Sequence, residues 1–141
     1  MFCASLLSAC GQEEKPVQYD SLAELSGAVG FDVINPEGMP DGYVLAGYYA
    51  VGDKLAQIVY VYGDAGLIFA MTPLKKVECS FDDFDETKTV NIDGIVYDYS
   101  LSGGSVRLAV ARAGDYTYAI YAKDGLTEEE MRSAVIGLKL K

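Results

Sequence analysis

From residue 95 onward, apolar and polar side chains alternate. Tyr97, Tyr99, Val106, Leu108, Val110, Tyr116, Tyr118 and Ile120 fall on one side, and Asp98, Ser100, Arg107 and Thr117 on the other. A period of two belongs to sheet strands with one face buried and one face wet. Asp93-Gly94, Gly103-Gly104 and Gly114-Asp115 cut this region into strands at 88–92, 95–101, 106–111 and 116–122. Gly, Asn and Asp tolerate the positive φ that tight hairpin turns need. Upstream, 43–51, 55–62 and 67–72 are rich in Tyr, Val, Ile and Phe and apolar on nearly both sides, with turns at Gly52-Asp53 and at 63–66. Such runs predict strands covered on both faces.

Two segments carry a helical period instead. Ser21 with Glu24 forms a capping box, and Leu22, Leu25 and Val29 are spaced for one helix face before Gly30 stops the run. Thr127 with Glu130 forms a second box, Leu126 and Met131 a hydrophobic staple, and Met131, Ala134, Val135 and Leu138 an apolar stripe. Between the first helix and the first long strand, residues 35–42 hold two prolines and two glycines, which predicts a structured loop. The expected fold is therefore α+β: an antiparallel sheet of six or seven strands, a meander of hairpins, flanked by a short N-terminal helix and a C-terminal helix. With so little helix available, the surface carrying Leu55, Val59 and Val61 is expected either to lie under the first helix or to stay open as an interaction face.

At 141 residues the chain fits one domain, and half of it is hydrophobic against 23% charged, the balance of a globular protein. A formal net charge of −10 repels phosphate backbones, so nucleic acid is not an expected partner.

The N-terminus changes the picture of location. Residues 1–10 are apolar or small, and Gly11, Gln12, Glu13, Glu14 and Lys15 then turn polar. Leu7, Ser8, Ala9 and Cys10 resemble the lipobox of bacterial lipoprotein signal peptides, which implies lipidation of Cys10. No Lys or Arg precedes Cys10, so 1–9 reads as a truncated signal peptide. Residues 10–19 read as a lipid-anchored flexible tether and 20–141 as a single α+β domain. No later stretch approaches the roughly 18–20 apolar residues of a membrane span, so the membrane is expected to be reached through lipid alone. After processing, Cys79 is the one remaining thiol, read as a passive, half-buried side chain.

Three phrases, PEGMPDGY at 36–43, ETKTVNIDG at 86–94 and GLTEEEM at 125–131, resemble an uncharacterised domain family of Gram-positive bacteria, over about residues 31–140. The resemblance implies a domain found in lipoproteins and as the extracytoplasmic part of anti-sigma-factor-like proteins.

Candidate chemistry is sparse. Glu78, Asp82, Asp83, Asp85 and Glu86 crowd carboxylates near one another, and Ca²⁺ takes six to eight oxygen ligands, but the spacing is not that of a calcium loop. The chain has no histidine, which removes the commonest general base and zinc ligand. The expectation is a non-catalytic, extracytoplasmic lipoprotein domain, without cofactor, that binds or senses an envelope protein or ligand. A calcium-responsive module is the alternative, and a small hydrolase a further one.

Overall fold

The computed structural model describes residues 16–74 and 84–140. Among the described residues, eight strands form one antiparallel sheet: β1 (Val17–Tyr19), β2 (Val44–Val51), β3 (Leu55–Tyr62), β4 (Ala65–Thr72), β5 (Glu86–Ile92), β6 (Ile95–Ser102), β7 (Ser105–Ala113) and β8 (Tyr116–Leu126). Two helices accompany it, α1 (Leu22–Val29) and α2 (Glu128–Ile136). The sheet order is β1-β2-β3-β4-β8-β7-β6-β5. The α+β class and both helices agree with the sequence, and the strand number exceeds the expected six or seven. The additional strand is β1, which lies inside the span read as tether. Val17 pairs with Ala50 and Tyr19 with Tyr48, so residues 17–19 belong to the sheet. The meander is also split: β8 returns to pair with β4, and β5 occupies the far edge.

Both helices form where their caps place them. Ser21 Oγ accepts from the Glu24 amide at 3.1 Å, and Gly30 closes α1 in the left-handed region with φ 79°. Thr127 and Glu130 complete a reciprocal capping box at the start of α2. Leu25 and Val29 of α1 join Ala50, Ile58 and Phe69 of the sheet, and Met131, Ala134 and Val135 of α2, with Leu138 just beyond its end, join the same cluster with Tyr97, Tyr99 and Leu126. Burying each large aliphatic contributes about 1.5–3 kcal/mol, so α1 and α2 are held on one face of the sheet.

The opposite face has its own buried cluster of Val51, Leu55, Val59, Ile68, Ala70, Leu108, Ala119 and Tyr121. Both ends of the β4–β5 connection meet this face. Thr117 Oγ1 and Arg112 Nη1 donate to the Leu74 carbonyl at 2.6 and 2.9 Å, and Phe84 packs against the cluster. One expectation about side fails in β7. Against β6 the register shifts by one residue between Val106 and Leu108, so Val106 belongs to the helix-covered core while Leu108 and Val110 belong to the other face. A bulge inserts one residue and reverses the side of everything after it.

The loop between α1 and β2 is fixed by a close approach. The Glu37 amide donates to the Gly137 carbonyl at 3.3 Å. A Cβ on Gly38 would sit 2.2 Å from the Ser133 carbonyl oxygen, and one on Gly137 would sit 2.2 Å from the Gly38 nitrogen. Two glycines thus let this loop lie directly on the end of α2.

Candidate docking surface

The expected interaction face is closed at its centre. Val59 is 0% exposed and Leu55 7%, while Val61 is half-buried at the outer end of β3. Neither alternative drawn from the sequence describes it. Leu55 and Val59 are not open, and α1 does not cover them, because it packs on the other side of β3 against Ile58.

The open apolar surface lies a few residues away, where β2 begins and β3 ends. Val44, Leu45 and Tyr62 are 59%, 48% and 59% exposed. Val44 pairs with Val61 and Leu45 with Tyr60. Tyr62 meets Tyr43 edge-on, with ring centroids 5.7 Å apart. The Tyr43 amide donates to the Pro40 carbonyl at 3.3 Å, closing a turn through Asp41 and Gly42, and a Cβ on Gly42 would meet the Tyr62 ring at 3.0 Å.

The same stretch of β2 is an unpaired edge. β1 pairs only with Tyr48, Tyr49 and Ala50, and among the described residues no strand pairs with Val44–Gly47 on that side. A bulge between Leu45 and Gly47 bends the strand there. Tyr49 folds over Gly47, where an added Cβ would meet its ring at 2.9 Å.

The rim of this surface is acidic. A shallow groove of about 350 Å³ runs between the 38–41 loop and the start of α2, and its charged lining residues are Asp41, Glu129 and Glu130. The Tyr43 hydroxyl is held above its ordinary pKa, first by burial and then by the nearby Asp124 and Glu130 carboxylates and Tyr62. Within segments 41–45, 62–66 and 122–130, Lys123 is the only cation.

The remaining candidates fall elsewhere. Cys10, Cys79, Glu78, Asp82 and Asp83 lie outside the described residues. The Asp85 carboxylate accepts from the Gly103 amide at 3.0 Å, so it closes the β6–β7 turn, and Glu86 begins β5 at the sheet edge. Among the described residues no group of three or more Cys, Asp or Glu is placed to hold a metal ion. Tyr99 Oη is buried with no hydrogen-bond partner among them, and its pKa is raised mainly by burial, with Arg132 opposing.

Comparison with protein-family models, with curated proteins and with solved structures finds no match to this chain.

Proposed function

We propose that this chain is a non-catalytic binding domain, held at the outer face of the bacterial membrane by lipid on Cys10, that docks a protein partner through the surface of Val44, Leu45 and Tyr62. The observation that carries the reading is the coincidence of exposed apolar side chains, Leu45 and Tyr62 on one face and Val44 on the other, with an unpaired strand edge, since uncovered edges and exposed apolar side chains mark interaction sites. The lipobox-like Leu7-Ser8-Ala9-Cys10 run supplies the location. The likeness of the 36–43, 86–94 and 125–131 phrases to a domain of lipoproteins and anti-sigma-factor-like proteins agrees with a place at the cell envelope.

Two measurements test the reading. A fatty-acid probe should label the full precursor and fail to label Cys10→Ala; equal labelling of both removes the anchor. A photo-crosslinking residue at position 62 should then join a discrete envelope protein in intact cells, and the same probe at Asp53, in the turn at the other end of β2 and β3, should not. Identical products from both positions remove the docking surface.

A further inference from the structure

We infer that the partner presents an extended, cationic segment that adds as a strand to the Val44–Gly47 edge of β2. This inference rests on the docking function proposed above and specifies the chemistry of what docks.

The two edges of the sheet are guarded differently. Edge strands avoid unwanted pairing through charge, proline, short length or cover. The β5 edge carries Glu86 and Lys88, alternates with Thr87, Thr89 and Asn91, and ties Lys88 to Glu128 of α2. The free part of β2 reads Val-Leu-Ala-Gly, without a charge or a proline. Its cover stops short because β1 spans three residues and the chain then leaves for α1. A strand added here would find backbone amide and carbonyl groups for pairing, Val44 on one face and Leu45 with Tyr62 on the other. Alternate side chains of the incoming segment would pack on these, as in β-augmentation.

Charge selects among occupants. A second copy of this chain would bring Asp41, Asp64, Asp124, Glu129 and Glu130 against the same groups, and the whole molecule carries −10. Like charges across an interface suppress pairing, and opposite ones favour it and speed encounter. Lys or Arg side chains of a bound segment can reach these carboxylates, and the exposed Tyr62 ring offers a face for a cation. The bulge at Leu45–Gly47 limits regular pairing to a few residues, so the site reads a short segment.

The test uses the full chain, ¹⁵N-labelled, with a ten-residue peptide alternating lysine and valine, its glutamate–valine counterpart, and a version of the lysine peptide carrying a central proline. The lysine peptide should slow amide exchange at residues 44–47 at least tenfold at saturation and bind at least tenfold more tightly than the glutamate peptide at low salt. Proline should abolish the protection. Leu45→Lys, or Val44→Lys if the first variant melts lower, should weaken the lysine peptide at least tenfold at unchanged melting temperature. Equal binding of both charge types, protection confined to other residues, or a dimer in sedimentation that Leu45→Lys dissolves would each overturn the inference. If position 62 crosslinks a discrete envelope partner while the lysine peptide leaves 44–47 unprotected, the docking function stands and strand addition falls. If neither occurs, both fall.

Discussion

Glycines show how steric detail at single residues decides stability. Gly38 and Gly137 have no room for a methyl group, since each added Cβ would press against backbone atoms at 2.2 Å that cannot rotate away. Gly38→Ala or Gly137→Ala should therefore cost about 1–3 kcal/mol, as overpacking does. Gly27 is the control: it is exposed in the middle of α1, and nothing lies within 4 Å of its added Cβ. Gly27→Ala should stabilise by about 0.5–1 kcal/mol through helix propensity. Chemical denaturation of the three variants checks both signs, and equal shifts would mean that the loop does not lie on α2. Tyrosines give a second test at this scale. Burial pushes Tyr60 and Tyr97 up to about 12, with smaller additions from Tyr48 for the first and from Tyr99 and Asp93 for the second. The folded pKa lies above the unfolded value near 10, so the stabilisation is complete below pH 10 and is lost as pH rises from there through 12. Ultraviolet titration should show these phenols ionising late, together with alkaline unfolding. Tyr60→Phe and Tyr97→Phe should each reduce the steepness of that loss.

At the scale of elements, β4 and β3 are the most enclosed strands, with Gly66 to Thr72 of β4 and Leu55 to Tyr60 of β3 all buried. Val59 is the clearest probe because its neighbours in the second cluster, including Ile68, Ala70 and Tyr121, are buried too. Val59→Lys places an ammonium among apolar groups and should lose several kcal/mol. Near-native stability in a urea melt would mean that this face is open after all. The elements also show what could be read beforehand and what could not. Helix caps and Asp-Gly turns are local chemistry, so α1, α2 and the β5–β6 hairpin stand where the sequence places them, with Asp93 and Gly94 both at positive φ. Only Thr127 and Glu130 close a full capping box, however, while the Glu24 carboxylate bonds the Ser21 hydroxyl instead of its amide. The sides of Leu108 and Val110 are not legible, because a one-residue bulge leaves no mark in a period-two pattern, yet moves each later side chain across the sheet. β1 is not legible in the sequence because three residues carry too little pattern, and its pairing with Tyr48 to Ala50 depends on distant chain. The docking surface was illegible for the same reason. Val44 and Leu45 look like any strand residues, and only the length of β1 decides that they are uncovered.

For the whole molecule, the direction of β2 and β3 relates the chain's entry to its docking surface. Val17 lies beside Ala50, close to the turn that joins β2 to β3, whereas Val44, Leu45 and Tyr62 stand at the opposite ends of those strands. Six residues of strand at about 3.4 Å each separate Ala50 from Val44, roughly 20 Å. The chain from Cys10 to Val17 reaches at most about 25 Å when extended. That reach exceeds the length of β2, so a lipid on Cys10 would bias the turn at 52–54, beside Val17, toward the bilayer without by itself fixing the orientation. Net charge reinforces this, because −10 is repelled by anionic head groups over about a Debye length. A fluorescent residue at position 53 of the lipidated protein should be quenched by head-group-labelled lipids more strongly than one at position 62. On anionic vesicles the difference should widen as salt is lowered, since repulsion of the carboxylates at the Tyr62 end is then less screened. Equal quenching at both positions, at every salt concentration, would show that the domain lies down on the bilayer, and an incoming strand would then have to compete with the membrane for the Val44–Gly47 edge.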